Sequence, residues 1–524
     1  MYELFLNKKA LIVDDFSEFR VSLKSMMESF GCTDIDLARN GEEATASYAA
    51  KKHDIVLCDY NLGKSQNGQQ VLEEISLQGW LRADTVFVLI TAETSLSMVM
   101  GALEFRPDDY MTKPITKGNL RTRLTRTLEQ KSELIEIYQA QNEREFSQVV
   151  ALCKQKITNG NKYKGICYRI MAEALLQQEK PLQAQKIYQQ LVDLRPAQWC
   201  LLGLAQSQFM AKQFDQCIAT GHIALEDNPN SVEIHDLISQ CYTLKKQIPQ
   251  AREHLSKALA ISPLSIKRQR KAAHLATLAN DPQARLRALR QVSSLGQHSI
   301  QSEADDHALY VDELLEHSKT ASGSNRRRLM ADAQRQVDII SKKTKRSTRE
   351  QVQNDVLISR FAHITGDTAK SKHYLERALT SSKELLESQD ETSLQMLKRT
   401  LVNADCSNEL KALEAQQQAA QKAHAEQEHL AANSQENKQG MKCYEAGDFM
   451  GAIQSFRIAL SQSPSSTAIV LNLIQSMLKQ PINSKNKQNV REECLQLLEK
   501  LSLLQPTNPR YQRYLTLLDK VRAL

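Results

Sequence analysis

Four short, mostly apolar segments near the start of the chain each lead into a polar residue, and this arrangement is what most constrains the fold. The segments cover residues 10–13, 54–58, 86–90 and 109–112, and they are followed by Asp14-Asp15, Asp59, Thr91 and Lys113-Pro114. Continuous apolar segments are typical of parallel strands that are buried on both faces. Because open α/β sheets place their sites outside the carboxyl ends of the strands, we expect these polar residues to meet in one crevice.

The residue types at these strand ends are suited to phosphoryl transfer. Carboxylates that lie close together repel one another, and a hard divalent cation with oxygen ligands relieves the repulsion. Such a cation neutralises charge on an incoming phosphoryl group, while a lysine and a threonine hold further phosphoryl oxygens. One aspartate, acting as nucleophile, would carry an acyl phosphate. Taken singly, the same residues are typical of helix caps and turns, so it is the set that indicates a site.

On this set of motifs, residues 1 to about 125 resemble a response-regulator receiver domain. The resemblance implies a doubly wound, flavodoxin-like α/β fold with a parallel five-stranded sheet. It implies that Asp59 is the phosphoacceptor. It also implies that Asp14, Asp15 and Asp59 bind Mg²⁺ together with the backbone carbonyl of Asn61.

Further positions match the receiver pattern, and one loop departs from it. By the resemblance, Lys113 is the phosphate-binding lysine and precedes a cis bond to Pro114. Thr91 and Tyr110 match the switch pair, in which the hydroxyl moves towards the phosphate and the aromatic ring turns inward. The loop after Asp59 lacks the Met-Pro pair that is frequent in the family and is longer before its turn glycine, so we expect kinase docking there to differ.

A period of 34 residues follows the strand patterns, which end near residue 126. In the clearest unit, about 433–464, small residues let two antiparallel helices approach, phenylalanines fill the space between them, and a proline stops the second helix. The residues concerned are Gly440, Tyr444, Gly447-Asp448, Phe449, Ala452, Phe456, Ala459 and Pro464. Other copies end at Pro196, Pro229 and Pro263. The tail therefore resembles the tetratricopeptide-repeat (TPR) family, which implies an all-α solenoid with a groove for proteins or peptides; a generic α-solenoid is the alternative.

These patterns divide the chain into five parts. We expect a receiver domain over 1–125, TPR-like helical repeats over 126–300, degenerate helical repeats over 301–406, a solvated linker helix over 407–432, and C-terminal TPR repeats with a capping helix over 433–524. The linker is expected to be helical because it is rich in Ala, Gln, Glu and Lys and has few large apolar side chains. Residues 318–328 are predicted to form an exposed loop with a basic end.

Composition excludes several classes of protein. The ten cysteines include no Cys-x-x-Cys pair, which indicates reduced thiols and not a disulfide or zinc framework. No apolar segment approaches the roughly 20 residues that span a bilayer. We also find no signal-peptide pattern, so we expect a cytoplasmic protein without membrane insertion. Residues 1–128 carry 15 basic and 18 acidic residues, whereas the whole chain has a net charge of +7, so the basic excess lies in the tail.

Together these features predict a non-enzymatic signalling adaptor that needs Mg²⁺. A histidine kinase or phosphotransfer protein would phosphorylate Asp59, and the TPR groove would bind an unidentified protein or peptide. The alternative is phospho-regulated RNA binding through basic segments such as 264–292 and 326–349. Those segments have almost no aromatic residues for base stacking, so nucleic acid is not the partner we expect. No nucleophile, base and orienting group can be assembled in the tail, and the sequence leaves a homodimer open.

Overall fold

The apolar segments become β1 (Lys9–Val13), β3 (Ile55–Asp59), β4 (Val86–Thr91) and β5 (Asp109–Thr112), joined at one edge by β2 (Asp34–Ala38). All neighbouring strands are parallel, and their order is β2-β1-β3-β4-β5. In the central pairs Ile12 lies opposite Leu57, and Leu57 lies opposite Val88. The doubly wound five-stranded sheet is therefore confirmed.

The computed structural model of the protein describes the chain apart from residues 1–3, 64–65, 93–106, 297–302, 342–346, 388–390, 405, 465, 481–486, 502–503, 505–507 and 523–524. Residues 1–302 and 303–524 form two compact units. Within the described ranges, no helix combines the length and the apolar character that a membrane crossing requires.

Helices cover both faces of the sheet and bury the strands. They are α1 (Ser17–Phe30), α2 (Gly41–Lys51), α3 (Gly68–Leu77) and α4 (Lys117–Glu133). Alternate strand residues enter two separate cores, one with Ile12 and Met27 and the other with Leu11, Tyr48 and Ile75. Because side chains alternate along a strand and both faces are covered, the central strands β3 and β4 are apolar at every position before their last residue.

The rest of the first unit consists of antiparallel helix pairs. The pairs are α5 (Ile135–Asn142) with α6 (Phe146–Thr158), α7 (Lys164–Gln177) with α8 (Pro181–Leu194), α9 (Gln198–Met210) with α10 (Phe214–Asp227), α11 (Val232–Leu244) with α12 (Ile248–Ile261), and α13 (Ile266–Leu278) with α14 (Pro282–Gly296). This succession of helix pairs is the TPR-type architecture that the 34-residue period predicted.

The turn inside each of these pairs has the same geometry. One residue adopts a left-handed conformation, with φ between 52° and 61°, and the N–H of the next residue donates to a carbonyl in the last turn of the first helix. The left-handed residues are Arg144, Glu179, Lys212, Lys246 and Asn280. The last three are 34 residues apart, so the turn repeats with the period of the sequence.

Glycine residues allow adjacent helices of the repeats to approach closely. A β-carbon added at Gly203 would lie 2.3 Å from the ring of Tyr188, and one added at Gly440 would lie 2.6 Å from the ring of Phe456. Both aromatic rings are almost completely buried. Glycine at these two positions therefore makes room for the aromatic side chain that fills the space between helices.

The second unit contains longer helices and two glycine turns. Its helices are α15 (Ala304–Thr320), α16 (Gly323–Ser341), α17 (Thr348–Thr365), α18 (Thr368–Thr380), α19 (Ser382–Glu387), α20 (Glu391–Asn403), α21 (Ser407–Ala432), α22 (Gln435–Glu445), α23 (Phe449–Gln462), α24 (Thr467–Met477), α25 (Lys487–Glu499) and α26 (Tyr511–Arg522). Gly366 (φ 87°) and Gly447 (φ 81°) occupy the left-handed turn position of the pairs α17–α18 and α22–α23. The pairing pattern of the first unit therefore continues here.

The prediction of an exposed loop over 318–328 is wrong for most of its length. α15 continues to Thr320 and α16 begins at Gly323, so only two residues separate the helices. The basic residues 326–328 are exposed but helical. Arginine has a high helix propensity, and its charged group is solvated on an exposed helical surface as well as in a loop.

Two buried histidines, His235 and His254, contact each other in the first unit. Nε2 of His235 lies 3.0 Å from the carbonyl oxygen of Pro229, which only accepts, so this nitrogen carries the proton. Nδ1 of His235 must then accept from Nδ1 of His254, 3.1 Å away, so the ring of His235 is neutral. Burial, and then the neighbouring His235, lower the pKa of His254 to about 4.

We expect the stability of the repeats to fall as the pH is lowered from about 6.5 to about 4, because protons then bind the unfolded His254 in preference to the folded one. The contribution of His254 is fully present above pH 6.5, and its loss is complete below pH 4, with a size of about 2–3 kcal/mol. Urea unfolding of the wild type and His254→Gln across this pH range measures it. A stability difference between the two proteins that does not change with pH would contradict this expectation.

Candidate functional site

Three carboxylates meet at the carboxyl ends of β1 and β3. Asp14 and Asp15 follow β1 directly, and Asp59 is the last residue of β3. Since β1 and β3 are neighbours in the sheet, one oxygen from each carboxylate lies within 4.8 Å of the others. Asp14 and Asp59 are buried and Asp15 is exposed, so the cluster has one open side.

Lys113 reaches this cluster from the loop after β5. Its ammonium lies 2.7 Å from Oδ2 of Asp14 and 3.1 Å from Oδ1 of Asp59. The ring of Phe19 lies 4.1 Å from the same nitrogen. The Lys113–Pro114 peptide bond is cis, as the resemblance implied. The lysine therefore spans the two buried carboxylates at once.

The charges in the cluster perturb the acid–base properties of its members. Burial raises the pKa of Asp59 to about 6; Lys113 opposes this shift, and the charges of Asp14 and Asp15 add to it. Burial by itself would lower the pKa of Lys113, but the hydrogen bond to Asp14 and the charge of Asp59 raise it overall. A single lysine thus compensates the carboxylates only in part, and a further cation would be stabilised among them.

The donor set fits a hard divalent cation. Carboxylate oxygens are the ligands that Mg²⁺ prefers, and three of them are already gathered here. Asp14 is held in place, because its Oδ1 accepts from the N–H of Phe16 at 2.8 Å and its carbonyl accepts from Arg20. Phe16, and not an aspartate, is the N-cap residue of α1 and has no side-chain cap, so the reading of Asp14-Asp15 as a helix cap is wrong.

The loop after β3 lies against the acidic cluster. A β-carbon at Gly63, where φ is 84°, would lie 3.9 Å from Oδ2 of Asp15. A β-carbon at Gly68 would lie only 2.2 Å from the carbonyl oxygen of Asp59, so this position requires glycine. Asn61 is exposed in the same turn, one residue beyond Tyr60. The contribution of the Asn61 carbonyl to a metal site stays a prediction.

The two residues of the expected switch lie on neighbouring strands. Thr91 is the last residue of β4 and is buried. Tyr110 lies in β5 opposite Leu89, and its half-buried ring packs on the core that contains Tyr48. The N–H of Lys113 donates to the carbonyl of Thr91 at 2.7 Å, which connects the switch strand to the lysine loop.

Two residues of the site were not predicted from the sequence. Phe19 packs against the ammonium of Lys113, and Arg20 donates to the backbone of Asp14. Both lie in the first turns of α1, shortly after the acidic pair. Their position at the start of a helix that follows the site was the available signal, but the direction of a side chain depends on how the helix packs.

Comparisons with known proteins agree with this geometry. Residues 10–125 match the family model described as response regulator receiver domain. The chemotaxis protein CheY-3 of Vibrio cholerae serotype O1 is 31% identical over 129 residues, which are 24% of this chain and 98% of the relative. The alkaline phosphatase synthesis transcriptional regulatory protein PhoP of Bacillus subtilis is 31% identical over 119 residues, which are 23% of this chain and 48% of the relative.

Similar solved structures fall into two groups. The signal receiver domain of a modulated diguanylate cyclase from Desulfovibrio desulfuricans G20 is 23% identical, with a TM-score of 0.22, over 24% of this chain and 96% of that one. The C-terminal part of a TPR repeat-containing protein from Cytophaga hutchinsonii is 9% identical, with a TM-score of 0.37, over 50% of this chain and 99% of that one.

Proposed function

Because the chain belongs to the response regulator receiver family through residues 10–125, we propose that a histidine kinase or a phosphotransfer protein phosphorylates Asp59, and that the TPR repeats carry the output by binding another protein. The observation that most supports the phosphorylation site is the position of Lys113 between Asp14 and Asp59. We also propose that the chain is divided into the five parts predicted from the sequence, with the receiver domain over 1–125 and the repeats over 126–524.

The chemistry of the proposed step follows from the residues at the strand ends. A carboxylate oxygen of Asp59 attacks the phosphorus of a phosphohistidine, an O–P bond forms and the N–P bond breaks. The imidazole leaves with the bonding electron pair. Held by Asp14, Asp15 and Asp59, Mg²⁺ would neutralise charge on the transferring group. Lys113 is placed to bind another phosphoryl oxygen, since its ammonium is 3.1 Å from the nucleophilic carboxylate.

Phosphorylation would change the charges that Lys113 faces. The carboxylate of Asp59 loses its own charge, and a group with a charge of about −2 takes its place further out. Lys113 then divides its interactions between this group and Asp14. The hydroxyl of Thr91, which is buried at the end of β4, is the donor that could reach the phosphoryl group by an inward movement. Such a movement would free space for the ring of Tyr110.

A direct contact joins the receiver to the first repeat. Lys131, near the end of α4, forms an ion pair with Asp108 at 2.9 Å and donates to the carbonyl of Thr85. Its ammonium also lies 5.9 Å from the ring of Tyr138 in α5, and the side chain is mostly buried. The last helix of the receiver and the first helix of the tail are therefore joined around one buried cation.

The same helix holds the strand that carries Tyr110. Arg123 forms an ion pair with Asp109, the first residue of β5, and Arg126 lies 3.8 Å from the same carboxylate. Asp109 directly precedes Tyr110. A movement of the Tyr110 ring would therefore shift Asp109 and change its ion pairs with the arginines of α4. This short route from β5 through α4 to α5 supports an output through the tail.

The alternative, RNA binding through basic segments of the tail, is weakened because one arginine of those segments is buried in an ion pair. Arg268, in the basic segment 264–292, is buried, and its guanidinium donates to Asp236 and to the carbonyl of Ser262. Arg252, close to the same segment, pairs with Asp281 at 2.6 Å. These interactions are those of structural ion pairs, so fewer cations remain to contact phosphates.

A binding experiment tests the proposed output. The full chain would be immobilised with Mg²⁺, with and without beryllofluoride, and exposed to a lysate, and bound proteins would be identified and then measured by calorimetry. We expect a partner whose affinity changes with beryllofluoride in the wild type and not in Thr91→Ala. Equal affinities in all four conditions would mean that the receiver does not control the tail.

Lys131→Met should loosen the joint between receiver and tail. The substitution leaves Asp108 and the carbonyl of Thr85 without their buried cation, at a cost of roughly 1–3 kcal/mol. We expect faster amide hydrogen exchange in α5, while phosphorylation by a small phosphodonor is retained. Lys117→Met, at the exposed start of α4, is the matched control and should leave exchange unchanged. Identical exchange in both variants would show that Lys131 does not connect the two parts.

A further inference from the structure

The second unit contains a small cavity that α17 shares with α15, α18 and α20. Its volume is about 230 Å³. The lining residues are Lys319, Arg360, His363, Ile364, Ser371, Thr400 and Ala404. None of these residues is acidic, and three have basic side chains. The cavity is therefore lined by positive charge without a carboxylate on its walls.

The floor of the cavity is polar and buried. Arg360 is 1% exposed, and Ser371 and Thr400 are also buried. Nε of Arg360 is inaccessible to solvent and has no hydrogen-bond acceptor among the described residues. A buried donor without a partner is costly, typically by about 1–3 kcal/mol. The floor thus contains a buried cation whose hydrogen bonds are incomplete.

The carboxylates behind the floor are shared between cations. Asp312 forms ion pairs with Arg360 and, at 2.8 Å, with Arg399. Glu316 forms ion pairs with Arg360 and, at 2.9 Å, with Lys319. Burial, and then the charge of Arg399, lower the pKa of Arg360 to about 10, so the guanidinium stays charged at neutral pH. A negative group in the cavity would relieve this excess of positive charge.

The rim of the cavity is open and basic. Lys319 and His363 are exposed, whereas the floor residues are not. Pockets that take drug-sized ligands usually have volumes of about 300–1,000 Å³, so this cavity accommodates only a small group. Arginine and lysine together are a common pair for binding phosphoryl oxygens.

We propose that this cavity binds a phosphate-sized oxyanion, either inorganic phosphate or the phosphoryl group of a phosphorylated side chain. The charged guanidinium of Arg360, which lines the floor, would attract the anion, and Lys319 would bind it from the rim. This site is separate from the acidic cluster of the receiver and does not depend on phosphorylation of Asp59. It would give the tail a second way to recognise phosphate.

The test is a calorimetric titration of the full chain with inorganic phosphate and with O-phosphoserine, at constant ionic strength. We expect binding in the wild type, a roughly tenfold weaker affinity in Lys319→Gln, and loss of binding in Ala404→Leu, whose side chain fills the cavity without removing a charge. Lys113→Ala, which alters the receiver only, should bind as well as the wild type. A stronger response to O-phosphoserine would assign the source to a modified side chain.

Three results would overturn the proposal. They are no binding by the wild type, equal affinities in the wild type, Lys319→Gln and Ala404→Leu, and loss of binding in Lys113→Ala, which would place the anion in the receiver. Lys319 is exposed and Ala404 is only half-buried, so both variants are expected to fold. Helical circular dichroism confirms this before titration.

Discussion

Asp59→Asn should abolish acyl phosphate formation, whereas Asp54→Asn should not. The two aspartates lie at opposite ends of β3, and only Asp59 lies with Asp14, Asp15 and Lys113. The amide of asparagine cannot act as the nucleophile, so labelling by acetyl phosphate or phosphoramidate should fall to background. Mapping the modified residue after borohydride reduction measures this directly. Asp54 accepts from the N–H of Lys9 and pairs with Arg82, so its substitution tests loss of structure alone.

The same experiment tests the metal. Removing Mg²⁺, or changing Asp15 to Ala, should prevent labelling of Asp59, because the remaining carboxylates then repel the incoming phosphoryl group. Lys113→Ala should still bind the metal, since the lysine is not among the ligands, but should fail to transmit a change to Thr91. Labelling that persists in Asp59→Asn, or that is indifferent to Mg²⁺, would place the phosphorylated residue elsewhere.

Gly203→Val should strongly destabilise the repeats, lowering the free energy of unfolding by about 3 kcal/mol. The first atom added at Gly203 meets the ring of Tyr188 at 2.3 Å, and this ring is only 1% exposed, so neighbouring side chains would have to move with it. Urea unfolding followed by helical circular dichroism measures the loss. Gly165→Ala is the control, because a β-carbon at Gly165 meets nothing within 4 Å.

A double-mutant cycle separates this clash from the helix propensity of valine. In a Tyr188→Leu background the ring is absent, and Gly203→Val should then cost less than about 1 kcal/mol. A cost that is the same in both backgrounds would show that the ring is not the reason glycine occupies this position.

The sequence was sufficient for the sheet and for the centre of the site, because both follow from order along the chain. Once the apolar segments are parallel strands, the residues after β1 and β3 must meet at one edge. The sequence was insufficient for Lys131, whose partners Thr85 and Asp108 lie 46 and 23 residues away. Nothing in local composition distinguishes this lysine from an exposed one.

The cavity around Arg360 was also beyond the reach of sequence reasoning. Its lining comes from four helices, and Arg360 pairs with carboxylates more than 40 residues earlier. Burial of an arginine contradicts its usual exposure and is decided by tertiary packing. The prediction of a loop over 318–328 was wrong for a related reason. Serines, glycine and arginines are compatible with both an exposed loop and an exposed helix.

The left-handed turns bear on how the tail would respond to mechanical tension. Four of the five turns in the first unit place Arg, Glu or Lys where glycine would be more favourable by roughly 1 kcal/mol. Each helix pair therefore depends on its neighbours to outweigh that cost, and the stability of such an array is a sum over pairs and their interfaces. A pulling force would then extend the tail one pair at a time, in steps of about 110–120 Å for a 34-residue repeat. A partner bound across several helix pairs would raise the force needed to extend them.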